Sequence, residues 1–327
     1  MDHNKPFSKD LILLRNIESV TDNIIKKMQQ DVLFNLKRQG AVIGISGGID
    51  SSVCLGLAAK AFGPEKVLGI IMPEKDSSPE SEELALELAG KFNVSTVKED
   101  ITEALAGFRC YERRDEAVKR VFPEYDPGTY KMKIGIRQSG LFSNLPPIFT
   151  LTIVDKDGKQ QDKILHTREY LQIVAASNFK QRSRMNMLYY HAEALHYAVI
   201  GTPNKHEQEQ GFFVKYGDGG ADVKPIAHLF KTQVYQLAEF LGVPEEIRKR
   251  TPTTDTYSAE QTQEEFFYKM PFEVMDRIWD GWEKGVSSDV IAKVINVPQS
   301  QVDGTINDIR QKIQTTEYLR QEPFSLG

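Results

Sequence analysis

The stretch Ile43-Gly44-Ile45-Ser46-Gly47-Gly48-Ile49-Asp50-Ser51-Ser52 decides how this 327-residue chain is read. An apolar run, Ala41 to Ile45, enters it, and a helical pattern, Ser52 to Phe62, leaves it. It therefore reads as strand, glycine-rich turn and helix N-terminus. Such a turn is an anion site. Glycines admit close backbone approach, and the N–H groups of the first helical turn face the anion with the positive end of the dipole. Ser46, Ser51 and Ser52 add hydroxyl donors. Asp50 would repel a phosphate unless it binds a cation that also holds the phosphates.

Outward from this turn, strands and helices alternate. Val42–Ile45 reads as strand, Ser52–Phe62 as helix, Val67–Met72 as a buried strand, Glu80–Phe92 as a helix opened by Ser78-Pro79, and Val94–Val97 as a third strand. That order predicts an α/β fold, a Rossmann-like parallel sheet with helices on both faces. Its ligands lie beyond the carboxyl ends of the strands. The loop Met72–Ser78 is then a second wall, with Met72 against adenine or ribose. Upstream, residues 8 to 38 read as helix. Downstream, residues 108 to 166 break the pattern, with weak helical signal. Phe149–Val154 and the turn Asp155–Gly158 predict a β-hairpin within this insertion. A lid, part of the substrate pocket and a surface decoration are all open readings of it.

Regular order returns with Glu169–Ala176 and a helix from about Phe179 to Leu195. That helix carries Lys180, Arg182 and Arg184. Residues two apart on a helix face different sides, so at most one of these arginines meets a given anion. Ala198–Gly201 is a strand, and Glu207 follows in the loop at its end. A carboxylate there is a second ligand for Mg²⁺ shared with Asp50, since Mg²⁺ takes one or two carboxylates plus phosphates. Leu229–Leu241 is an amphipathic helix holding Lys231. The C-terminal quarter reads as four helices, about Thr262–Lys269, Phe272–Lys284, Ser288–Ile295 and Ser300–Gln314. The whole chain, 1–327, is expected to form one domain carrying the insertion.

Composition narrows the function. A net charge of −5 with mixed signs argues against a general nucleic-acid binder. A 40% hydrophobic content suits a soluble globular protein. Two cysteines, Cys54 and Cys110, make no disulfide framework. Met1 to Asp10 shows no signal-peptide core, and no apolar run is long enough to cross a membrane. A cytoplasmic location is the default expectation.

The turn lacks the lysine of G-x-x-x-x-G-K-[ST] and the spacing of G-x-G-x-x-G. As S-G-G-x-D-S after a strand, it resembles the pyrophosphate loop of the ATP pyrophosphatases. Further motifs match in order: Asn178-x-x-x-Arg182-x-Arg184-Met185, Gly201-Thr202 with Glu207, Gly211-Phe212-Phe213-x-Lys215-Tyr216-Gly217-Asp218-Gly219-Gly220-x-Asp222, Pro225-Ile226 with Leu229 and Lys231, and Thr251-Pro252-Thr253. Spanning about two-thirds of the chain, they resemble the ammonia-dependent NAD synthetases. The resemblance implies that Gly44, Ile45, Ser46, Gly47, Gly48, Ile49, Asp50 and Ser51 hold the ATP phosphates. Asp50 and Glu207 then bind Mg²⁺, while Thr202, Lys231 and Thr253 contact ATP. Asp50, Lys231 and Glu207 form the catalytic set. Arg182, Lys215 and Asp222 contact deamido-NAD in a homodimer. The chemistry implied is adenylation of a carboxylate, release of pyrophosphate and displacement of AMP by ammonia. That ammonia is free or comes from a separate glutaminase chain. The family's C-terminal His-Lys pair stands here as Tyr318-Leu319, which removes a cation from the acid site. An amide ligase acting on another carboxylate, and a silent nucleotide-binding subunit, are the alternative readings.

Overall fold

The computed structural model describes residues 7–8, 10–137, 148–251, 257–259, 262, 267–268 and 270–325. In chain order the elements begin with α1 (Ile17–Gln29), a π-helical turn (Gln30–Asn35), β1 (Ala41–Gly44), α2 (Ile49–Phe62), β2 (Val67–Ile71), α3 (Pro79–Phe92) and β3 (Ser95–Lys98). Then follow α4 (Thr102–Gly107), α5 (Cys110–Val121), β4 (Lys131–Arg137), β5 (Ile148–Val154), β6 (Gln160–Ile164), α6 (Thr167–Leu195) and β7 (Ala198–Ile200). The last part holds α7 (Lys205–Gln210), α8 (Lys231–Leu241), α9 (Glu245–Lys249), α10 (Phe272–Glu283), α11 (Ser288–Ile295), α12 (Gln299–Thr315) and α13 (Glu317–Arg320).

A four-stranded parallel sheet has the order β3-β2-β1-β7. Alternation along β1 sorts its side chains onto two faces. Ala41 and Ile43 pack with α1, α2 and α8 through Met28, Val53, Leu57 and Val234. Val42 packs on the other face against Met185, Leu188 and Ala192 of α6. Both faces are therefore covered, as a parallel sheet requires. A second, antiparallel sheet has the order β4-β5-β6. Its inward residues Met132, Ile134, Leu151 and Ile153 pack on Ala117 and Val118 of α5 and Ile173 of α6. The C-terminal helices close around Trp279, Met275 and Ile309.

Three local readings are corrected and one is extended. The segment read as helix over 8–38 becomes helical only at Ile17, where the Asn16 side chain caps Ser19 N at 3.1 Å, and it widens into π turns after Gln29. Glu169–Ala176 and Phe179–Leu195 are not separate. They form one 29-residue helix, because neither glycine nor proline interrupts them and the Ser177 hydroxyl donates back to Ile173 O at 3.0 Å. Residues 108–166 hold a full helix, α5, where little helical signal was read. Its Arg114 and Asp115 point inward, so its apolar stripe looks broken. The hairpin at Asp155–Gly158 is present, but β4 joins it as a third strand. The helix read at Thr262–Lys269 lies mostly outside the described residues.

Candidate active site

Gly44 through Ser51 line a cavity of about 1020 Å³ at the carboxyl ends of the parallel strands. Gly47 has φ +71°, and a Cβ there would stand 2.9 Å from both Leu84 Cβ and Ser81 O, so the turn requires glycine. Gly48 heads α2 without a side-chain cap, which leaves the first-turn N–H groups for a ligand. The Ser51 and Ser52 hydroxyls donate to Gly48 O at 3.0 and 2.8 Å and hold the turn closed.

Asp50 projects from the first turn of α2 and meets two groups. Its Oδ2 pairs with Lys231 Nζ, and its Oδ1 accepts from Asn204 Nδ2 at 3.1 Å. Glu207 lines the same cavity. Burial, and then the charge of Asp50, push its carboxyl well above the ordinary carboxylate range. Lys231 is wholly buried at the start of α8. Burial pulls its ammonium down, but Asp50 and Glu207 outweigh that and hold it above its ordinary value. Two carboxyl groups at the cavity and one buried ammonium thus share a site, and the burial of the ammonium strengthens their interaction.

Asn204 was not singled out from the sequence, yet it joins the two carboxylates. Its Oδ1 accepts from Glu207 N at 3.2 Å, Glu207 Oε2 accepts from Asn204 N at 3.0 Å, and its amide reaches Asp50. The Asn204-x-x-Glu207 capping box was the available signal.

Met72, Thr202, Arg182 and Lys215 also line the cavity. Arg182 Nε donates to Lys215 O at 3.1 Å, and Arg184 Nε donates to Met72 O at 3.3 Å. Both arginines line the same cavity although they are two apart on the helix, and their Nε atoms are committed to different segments, one to the chain at Lys215 and one to the loop at Met72. Lys215 Nζ donates to Tyr318 O at 3.1 Å and Gln321 O at 2.9 Å, so the C-terminal segment is fastened beside it. Tyr318 and Leu319 line the cavity as well. Phe149 and Tyr170, stacked 3.9 Å apart between centroids, bring the antiparallel sheet to the same wall.

Asp222 is placed elsewhere. Its Oδ2 accepts from Val199 N at 2.8 Å and its Oδ1 from Tyr189 OH at 2.9 Å. It borders a second hollow of about 840 Å³, between α1 and the segment before α8. Thr253 lies outside the described residues. Cys54 and Cys110 are both buried. No described helix is long and apolar enough to cross a membrane.

The family model described as NAD synthase matches residues 20–122 and 148–323. The chain is 46% identical over 313 residues to the NH(3)-dependent NAD(+) synthetase of Mesorhizobium japonicum, covering 96% of this chain and 98% of that protein. It is 48% identical over 303 residues to the NH(3)-dependent NAD(+) synthetase of Rhizobium rhizogenes, covering 93% and 91%. Among solved structures, the NMN synthetase of Francisella tularensis aligns with a TM-score of 0.60 at 22% identity, covering 95% of this chain and 98% of that one. The NH3-dependent NAD synthetase of Campylobacter jejuni aligns with a TM-score of 0.60 at 21% identity, covering 95% and 99%. Those structural matches speak for the fold alone, while the family-model match and the rhizobial identities reach further: the chain belongs to the NAD synthase family.

Proposed function

We propose that the chain catalyses ATP-dependent amidation of deamido-NAD with ammonia, giving NAD, AMP and pyrophosphate. The observation that carries this reading is the cluster of Asp50, the buried Lys231 and Glu207 beside an uncapped, glycine-headed helix. The rhizobial relatives named for the same reaction support it.

In this reading a carboxylate oxygen of the acid attacks the α-phosphorus of ATP, and the α–β bond breaks as pyrophosphate leaves. Ammonia then adds to the acyl carbon, AMP departs and a proton goes to solvent. The first-turn N–H groups of α2 face charge gathering on the leaving group, and the Lys231 ammonium acts on the site from beneath Asp50, with which it is paired. Arg182 and Lys215 hold the acid, and Gly44–Ser51, Met72 and Thr202 hold ATP. Little acid–base work falls to the protein, so positioning and electrostatics carry the rate.

Asp50 and Glu207 suit Mg²⁺, because they are two hard oxygen donors lining one cavity, the charge of one raises the carboxyl of the other, and a single ammonium is their counter-charge. When bound, the ion neutralises charge on the phosphates. We also read the chain as a single domain with an insertion at about 108–166, acting as a homodimer. An acid other than deamido-NAD is not favoured.

Pyrophosphate release measured with ATP, ammonia and deamido-NAD tests the reading. Sustained release is expected only with all three present; without ammonia it stops after about one pyrophosphate per site, because the acyl-adenylate is not consumed. Turnover with other carboxylates and none with deamido-NAD would overturn it.

A further inference from the structure

Behind the loop after β2 lies a buried ion cluster for which the proposed chemistry has no use. Loop residues Met72, Pro73, Ser77 and Ser78 line the cavity, whereas Glu74 and Asp76 do not. Lys180 Nζ of α6 donates at 2.8 Å to Glu74 Oε1 and at 2.8 Å to Asp76 Oδ2. Arg114 of α5 pairs with the same Asp76 oxygen and, at 2.8 Å, with Asp115. Tyr111 of α5 donates to Glu74 Oε2 at 2.7 Å, and Tyr125 OH lies 3.4 Å from Asp115 Oδ1. The side chains of Glu74, Asp76, Arg114 and Lys180 are all at most 8% exposed.

Ion clusters this dry add little to stability over well-packed apolar groups, so what they supply is fixed geometry. Here they fix a wall of the cavity. Glu74 N is held by Ser77 Oγ at 3.0 Å, and Asp76 N by Glu74 Oε2 at 3.2 Å. Two residues after Lys180 comes Arg182, and one turn after it Arg184 reaches Met72 O. Helix α6 thus grips the loop both at its start and at its middle. Burial pushes the Asp76 carboxyl up, but Arg114 and then Lys180 outweigh it and hold it below its ordinary value.

We propose that Lys180 is a positioning residue for ATP. By drawing Glu74 and Asp76 onto α6, with Arg114 of α5 as a brace, it sets Met72, Ser77 and Ser78 at the nucleotide wall. This rests on reading the cavity as an ATP site, and it gives α5 a task.

The test combines steady-state kinetics, equilibrium titration with ATP alone and melting temperatures. In Lys180→Met, KM and Kd for ATP are expected to rise at least about tenfold, with kcat and the KM for deamido-NAD changed less than about threefold. Lys180→Arg should recover most of the ATP affinity. Asp76→Asn, a milder change, should shift ATP affinity in the same direction while remaining folded. A lower melting temperature with unchanged ATP affinity, or equal weakening of both substrates, would make the cluster structural only and overturn the proposal. Wild-type protein that binds ATP but does not amidate deamido-NAD would overturn the proposed function and leave this inference standing.

Discussion

Asp50 and Lys231 form a pair in which neither partner is tolerable alone. Removing the ammonium leaves Asp50 and Glu207 without their common counter-charge, and removing Asp50 leaves a wholly buried cation without its paired carboxylate. Breaking one side of a buried pair costs about 3–5 kcal/mol. Asp50→Ala is expected to lower kcat by at least about a thousandfold, since it removes charge that is organised for the transition state. Lys231→Met is expected to lose a comparable factor. Pyrophosphate release under saturating ATP reads both, and activity surviving in Asp50→Ala would sink the assignment. Asp50 and Glu207 were legible in the sequence because each closely follows a strand, where α/β ligands gather, although Glu207 lies in α7 and not in the loop read there. Asn204 and Lys180 were not. An asparagine before a short helix and a lysine on a long one read as ordinary polar residues until tertiary packing buries them.

At the level of elements, the short helix α7 depends on a neighbour. His206, adjacent to Glu207, is wholly buried and donates to Asp276 of α10. Rings of Phe230, Tyr268, Phe272 and Trp279 surround it. Asp276 also accepts from Thr232 N at 2.8 Å and from the Thr232 hydroxyl, next to Lys231. One carboxylate therefore anchors the elements bearing Glu207 and Lys231. Asp276→Ala should destabilise the fold by about 3 kcal/mol or more, as three donors lose their acceptor. Urea unfolding checks this, and a loss under about 1 kcal/mol would refute the anchoring role. The loop after β2 has a pH signature. Asp76 has a folded pKa below its ordinary 3.8, so its contribution is complete above that value and is lost as pH falls beneath it. Wild-type stability should drop more steeply below about pH 4 than that of Asp76→Asn. Parallel strands and α2 were readable from local apolar runs. Helix α5 was not, because Arg114 and Asp115 look like a solvated face and are buried against Asp76 and Tyr125. Nor was the continuity of α6, whose Ser177-Asn178 resembles a cap.

On the scale of the whole molecule, β1 is flanked by β2, its near neighbour in sequence, and by β7, its distant one. About 150 residues, including α3 to α6 and all of the antiparallel sheet, lie between Gly44 and Ala198. Contacts of such sequence separation form late, because loop closure precedes any gain from burial. A chain ended after Leu195 is expected to bind no ATP and to bind a hydrophobic dye strongly, since Val42 and Ile43 lose a neighbouring strand; tight ATP binding by that fragment would contradict this. The strand order also sets a clock for synthesis. At about 5–20 residues per second, the ribosome releases β7 roughly 8–30 s after β1. Through that interval one edge of β1 stands open, and the phosphate turn is among the first pieces made and the last completed.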